Sequence, residues 1–286
     1  MTPGASDDTN RPTDLRDDVT EAGVFRAVVD GYDAVYDALP AGELFNRLWR
    51  TNAYGSDFPL EFAHIGFLTL GEGRRMLQLL KVGADDVLVD LACGAGGPGL
   101  WAAQQSGASL LGIDPSSAGL ATARARAQAV GMAERARFAP GTFGQTGLAD
   151  GAGDAAMSVE AFQYAPDKRA ALRELFRILR PGGRLVFIAF EVDPSKVEGL
   201  PVFGVDPISD YVPLLEAAGF GVDSYEETPG WEARVYATFG AIVDASDALA
   251  AEMGERAAAG AVAEAMITVQ MKPYPRRILA AATRPD

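Results

Sequence analysis

Apolar residues recur along this chain with two different periods, and the change of period divides it. From Val87 to Glu191, compact apolar runs alternate with stretches of helical spacing. Val87, Leu88 and Val89 make a run of the kind a fully buried parallel strand uses. Leu100 to Gln105 continues as a short helix, and Ser109 to Asp114 (SLLGID) supplies a second strand. A helix starts around Pro115 and Ser116, Ala136 to Ala139 is a weak third strand, and Asp154 to Val159 is a fourth. DKRAALRELFRILRPGGRLVFIAFE then reads as helix, Pro-Gly-Gly turn and fifth strand. Such alternation predicts an α/β fold, a doubly wound sheet with helices on both faces.

On either side of this block the spacing is helical. Val24, Val28, Tyr32 and Tyr36 lie on one stripe with Phe25 and Val29 beside it, which predicts an amphipathic helix to about Leu39; Leu68 to Leu80 predicts another. After Glu191 a Pro- and Gly-rich loop covers the ligand edge of the sheet. Asp210 to Ala218 follows as a short helix ending at Gly219, and FGVDSYEET as a strand. Trp231 to about Met266 is alanine-rich and helical with breaks at Gly240, Gly254 and Gly260, and its plainest reading is packing over the outside of the domain. Residues 1–18 lack apolar periodicity and read as a disordered tail.

The chemistry concentrates between the first strand and its helix. Gly94, Gly96 and Gly97 allow a tight turn and close approach to a ligand, and Pro98 suits the first helical turn. Gly94, Gly96 and Gly99 satisfy G-x-G-x-x-G, and Asp114 stands where an acid binds ribose hydroxyls or caps the next helix. Asp90 separates the cofactors this pattern admits. A pyrophosphate beside it would cost on the order of several kcal/mol in a partly desolvated site, whereas S-adenosylmethionine brings an ammonium and a sulfonium.

The run Asp90-Leu91-Ala92-Cys93-Gly94-Ala95-Gly96 resembles the first motif of class I S-adenosylmethionine-dependent methyltransferases, with Ala92 in place of the first glycine. GYDAVYD (Gly31–Asp37) and HIGF (His64–Phe67) resemble the entry segment of the sterol, tocopherol and ubiquinone methyltransferase group, which brings forward Tyr32, His64 and Gly66. The resemblance implies a seven-stranded Rossmann-like sheet, mostly parallel with its last strand, Arg276 to Ala282, antiparallel, under an N-terminal helical cap. It implies a lid over 19–80 and a core over 81–286 with a helical insertion at about 231–266. It also implies cofactor contacts from Tyr32, Asp90, Ala92, Gly94, Gly96, Asp114 and Pro115. Thr142 stands where the family has an acid for the adenine amino group, and Phe143 either packs on the adenine or belongs to the core. In SVEAFQYAPD, Glu160 is retained beside the expected methyl position, and Gln163 replaces a frequent histidine.

Composition narrows the partners. With 25 basic and 39 acidic residues the net charge is −14, which argues against nucleic acid and anionic membranes. One cysteine and one histidine, Cys93 and His64, cannot build a zinc site, and no metal is expected, although carboxylate-bound Mg²⁺ stays open. No apolar run approaches the ~20 residues of a membrane span, and the first residues resemble no targeting peptide, so the expectation is a cytoplasmic protein, with a homodimer left open. Four lysines against twenty-one arginines suggest a GC-rich bacterial source and secondary metabolism.

These readings converge on methyl transfer to a small acceptor, C- or O-methylation, with Glu160 as leading base and His64 second. Phe45, Trp49, Tyr54, Phe58, Phe62 and Phe67 suggest that the acceptor is lipophilic. Two alternatives stay open: a cyclase that keeps the cofactor site, and a nicotinamide-dependent oxidoreductase.

Overall fold

A computed structural model describes residues 21–62, 65–198, 206–272 and 275–286. The expected tail, 1–18, and His64 lie outside the described residues. The chain opens with α1 (Glu21–Ala38) and α2 (Glu43–Trp49), the latter running into a π-helical turn, Arg50–Tyr54, and then α3 (Leu70–Leu80). The sheet region follows as β1 (Val87–Leu91), α4 (Gly97–Ser106), β2 (Ser109–Asp114), α5 (Ser117–Ala129), β3 (Ala136–Pro140), β4 (Gly153–Val159), α6 (Lys168–Ile178) and β5 (Leu179–Val192). The remainder is α7 (Val212–Ala218), β6 (Gly221–Glu227), three helices α8 (Trp231–Asp244), α9 (Ser246–Met253) and α10 (Glu255–Gln270), and β7 (Pro275–Thr283).

The seven strands lie in the order β3-β2-β1-β4-β5-β7-β6. β1 pairs in parallel with β2 and β4, and β4 with β5, whereas β7 runs antiparallel to both its neighbours. The sequence expectation of a mostly parallel sheet with a reversed last strand therefore holds. Strand order reverses between β1 and β4, so their carboxyl ends open the crevice in which such sheets bind ligands. Alternation along the strands builds two cores. Leu88, Leu110 and Val186 pack on one face, while Val89, Leu185 and Phe187 pack on the other.

Local chemistry fixes the helix ends. Thr69 and Glu72 form a capping box at the start of α3, and Ser116 and Asp167 cap α5 and α6 through the N–H groups of Gly119 and Ala170. Gly107 and Gly219 end α4 and α7 in the left-handed conformation.

A third core belongs to the cap. Phe45, Trp49 and Phe67 pack with Phe190, Trp231, Phe239 and Leu249, so α1 and α2 share a core with α8–α10. This corrects the expectation for residues 231–266. The helices break at Ala245 and Gly254, Gly240 and Gly260 stay inside α8 and α10, and α10 lies against α1 as a wall of the central cavity. The two helices meet where Gly260 faces the backbone of Gly31. The reading as outer packing missed the wall because alanine and glycine carry too little apolar contrast to mark which side of a helix is buried.

Candidate functional site

β1 ends in a loop that is tied to β2: the N–H groups of Ala92 and Cys93 both donate to the carbonyl of Ile113, at 2.7 and 3.1 Å. Asp114 closes the loop from the other side. Its Oδ2 accepts from the N–H of Gly94 and its Oδ1 from that of Ser116, both at 2.8 Å. Asp90 lies beneath, 2% exposed, where burial and then the charge of Asp114 push its carboxyl up to about 8 against the N–H of Gly99. A small cavity of about 70 Å³ over the loop is lined by Tyr36, Asp90, Ala92, Gly94, Gly96 and Arg126. Tyr36 lies so close over Gly94 that any Cβ there would collide with its hydroxyl. Gly97 is as constrained, because a Cβ would run into the carbonyl of Phe62.

Next to it, between the sheet edge and the cap, opens a cavity of about 440 Å³. Asp114, Pro115, Ser116, Phe143, Glu160 and Gln163 line its sheet side, and Tyr32, Phe45, Trp49, Phe67, Phe239 and Glu264 its cap side. Twelve of the thirteen residues expected at the site are described, and eleven of these line one cavity or the other. Thr142 lines neither; its backbone forms a two-way bridge with Gln145, which turns the strand end away. Gln163 donates from its Nε2 to the carbonyl of Glu160, while its buried Oε1 has no partner and is left to accept from a ligand.

Residues 89–187 match the family described as a methyltransferase domain. Over 247 residues the chain is 29% identical to the methyltransferase GfsG of Streptomyces halstedii, covering 82% of this chain and 86% of that one. It is 28% identical over 217 residues to the 27-O-demethylrifamycin SV methyltransferase of Amycolatopsis mediterranei (strain S699), covering 70% and 78%. The solved [4+2]-cyclase SpnF superposes with a TM-score of 0.66 at 20% identity, over 85% of this chain and 94% of that one. The fold is that of class I S-adenosylmethionine-dependent methyltransferases. Its reaction class is methyl transfer, with S-adenosylmethionine as cofactor. The nicotinamide alternative falls with it. The donor set agrees, because Asp114 can accept from ribose hydroxyls and the buried Asp90 carboxyl can ionise against an ammonium.

Within this methyltransferase fold Glu160 is not a free carboxylate. It sits at the end of β4 at a φ of 53°, a left-handed conformation rare for such a residue. Its Oε1 accepts from Nε of Arg277 at 2.7 Å, and its Oε2 from the N–H of Phe67 at 2.7 Å. Arg277, fully buried, also reaches Glu72 and the Thr228 hydroxyl, each at 2.7 Å. Both oxygens of the expected base are thus engaged, and the side chain ties the end of β4 to the cap.

Four polar residues of the site went unnoticed in the sequence. Tyr36 lies over the glycine loop, and Arg126 lines the small cavity while donating to the carbonyl of Ala95 at 3.1 Å. Asp33 accepts from the hydroxyl of Ser116 at 2.5 Å and the N–H of Ala118 at 3.1 Å, which pins α1 to the start of α5. Glu264 on α10 accepts from Tyr164 at 2.6 Å and Tyr32 at 3.3 Å, and burial raises its carboxyl above the ordinary range. For Glu264 a signal existed: one acid at helical spacing from Ala261 and Thr268, in an otherwise uncharged run.

Proposed function

We propose that the chain methylates a small lipophilic metabolite, with the acceptor held in the 440 Å³ cavity. The observation that carries this reading is the cavity's lining: Phe45, Trp49, Phe67, Phe190 and Phe239 form an aromatic chamber that adjoins Asp114 and Phe143. An apolar chamber of this size favours a ligand that gives up little hydration on entry. The Amycolatopsis relative, which methylates 27-O-demethylrifamycin SV, supports a natural product as acceptor.

When bound, S-adenosylmethionine supplies an electrophilic sulfonium methyl. For its binding we assign Asp114 to the ribose hydroxyls, Asp90 to the ammonium across the loop, and Arg126 to the carboxylate. Ala92, Gly94 and Gly96 provide close backbone approach, Pro115 and Phe143 enclose the base, and Gln163 and Tyr32 face the transferred group. Glu160 holds the cap in register through Phe67 and Arg277. Residues 19–80 act as the lid, and 81–286 as the core with its insertion at 231–266. Closure then removes water and fixes the reacting atoms about 3–3.5 Å apart.

Calorimetry with S-adenosylmethionine, S-adenosylhomocysteine and NADH tests the cofactor half, and S-adenosylhomocysteine release on a panel of lipophilic and polar acceptors tests the rest. Both adenosyl compounds should bind, with affinity falling more than a hundredfold in Asp114→Ala. Turnover confined to polar acceptors would sink the acceptor class. Conversion of an acceptor without S-adenosylhomocysteine would favour the cyclase reading, which rests on likeness of fold to SpnF.

A further inference from the structure

The cavity wall formed by α10 carries one ionisable side chain, and its other polar residue, Thr268, spends its hydroxyl on the Glu264 carbonyl. Glu264 enters there between two phenols, Tyr164 at 2.6 Å and Tyr32 at 3.3 Å, whose own hydroxyls lie 3.4 Å apart. All three line the large cavity, and among the described residues no arginine or lysine pairs with the carboxylate. The contrast with Glu160 is direct. Glu160 is neutralised by Arg277, whereas Glu264 is held only by neutral donors and keeps lone pairs for a ligand.

From this geometry we infer that Glu264 is the proton acceptor of the methyl transfer and that the group methylated is a hydroxyl of the acceptor. The inference rests on the methyl-transfer reading above and names the atom that reading leaves open. A hydroxyl in this cavity donates to Glu264 and satisfies the polar cluster. A bare alkene would offer the remaining lone pairs of the carboxylate no donor. In the step, the acceptor oxygen bonds to the methyl carbon as the carbon–sulfur bond breaks, and that bond's electron pair remains on sulfur. The hydroxyl proton passes to the carboxylate of Glu264, and opening of the cavity returns it to water. Tyr164 and Tyr32 keep the carboxylate oriented and temper its rise in pKa, while burial and the charge of Glu160 raise it. The groups facing Glu264 are therefore Tyr32 from α1, Tyr164 from the turn after β4, and Glu160 from the end of β4, with Arg277 behind it.

The test compares the full chain with Glu264→Gln and Glu264→Asp on hydroxyl-bearing macrolactones and alkylphenols, their O-methylated counterparts, and prenyl alkenes without a hydroxyl. Glu264→Gln should lose at least a hundredfold in kcat with S-adenosylhomocysteine affinity within threefold, and Glu264→Asp should recover part of it. Wild-type kcat should rise with pH through a pKa above the ordinary carboxyl range, and that limb should vanish in Glu264→Gln. Infrared spectra of the S-adenosylhomocysteine-loaded protein, taken below the pKa of that limb, should show a protonated-carboxyl band that Glu264→Gln removes. Undiminished kcat in Glu264→Gln, or no difference in the infrared band, overturns the role of Glu264 while leaving methyl transfer intact. Methylation of the alkenes but not the hydroxyl compounds overturns the acceptor class. Cofactor binding with no methyl transfer to any of the panel overturns the methyl-transfer reading and this inference with it.

Discussion

The cavity has two walls that are built differently. On the sheet wall, Asp114 and Ser116 answer backbone N–H groups of neighbouring turns, at separations of 20 residues or fewer. Where the cap meets the sheet, side chains meet side chains across the whole chain: Tyr164 and Glu264 are 100 residues apart, Glu160 and Arg277 117, Glu72 and Arg277 205. A wall made of local turns is specified before the fold closes. A wall made of distant pairs exists only once it has closed, so its groups carry the larger consequences when one partner is removed.

The largest effect is expected at Arg277, which joins the two walls. Arg277→Met leaves Glu160 and Glu72 buried without their shared cation, although Glu72 keeps Arg234 at 3.1 Å. Thermal and urea unfolding should register a loss of about 3–5 kcal/mol. Adding Glu160→Gln should return part of it, because the stranded charge is then gone. Strict additivity of the two changes would mean that the pair is not coupled, and the contrast between the walls would fail there.

On the sheet wall the sharper probe is pH. Burial lifts the Asp90 carboxyl to about 8, above its ordinary range, so the folded cofactor-free protein holds a proton that the unfolded chain releases. Its contribution to stability is therefore complete below the ordinary carboxyl range and is lost as pH rises toward 8. The slope approaches at most about 1.4 kcal/mol per pH unit. Asp90→Asn should flatten it. If Asp90 meets the cofactor's ammonium, binding at pH 7 should also release close to one proton, read from calorimetry in buffers of different ionisation enthalpy, and none in Asp90→Asn. Identical pH dependence of the two proteins would remove Asp90 from this role.

That same contrast decides what could be read in the sequence. The β1 glycine turn, Asp114 and the strand order follow from short-range periodicity and spacing, and the strand from Ser109 to Asp114 was placed to the residue. Glu160 was found by its place at the sheet edge, but its partner Arg277 lies 117 residues on, in a strand whose pattern identifies only a strand. Glu264 stayed hidden for the same reason, since an acid in an alanine-rich helix becomes a site only when Tyr32 and Tyr164 arrive. At Thr142 the motif position alone shows no side-chain role, and the bridge to Gln145 engages only its backbone.

A smaller effect should follow from loosening the seam between the walls. Asp33 reaches from α1 to Ser116 and Ala118 at the start of α5, where a carboxylate also meets the positive end of the helix. Asp33→Ala should cost about 1–2 kcal/mol and speed cofactor release, seen as a higher off-rate in stopped-flow fluorescence. Asp33→Asn should retain most of the affinity, because both bonds fall on one oxygen and an amide oxygen can accept two. An unchanged off-rate in Asp33→Ala would mean that α1 does not restrain the cofactor.

The smallest effect expected sharpens the comparison from within the loop itself. Ala92 stands where the resembling motif has glycine, and its φ of 59° places a Cβ in the left-handed region. Its N–H still bonds Ile113 at 2.7 Å, so the conformation is imposed by the loop's anchorage to β2. Ala92→Gly relieves the left-handed strain, worth roughly 1–2 kcal/mol, but frees the unfolded chain by about 0.4–1 kcal/mol. The net expectation is a gain of about 0.5 kcal/mol, or one to two degrees in Tm. Cofactor affinity should stay within twofold, because the backbone that approaches the ligand keeps its path. A marked loss of affinity would instead assign the Ala92 methyl a contact with the cofactor, and the sheet wall would then read its ligand through a side chain as the cap wall does.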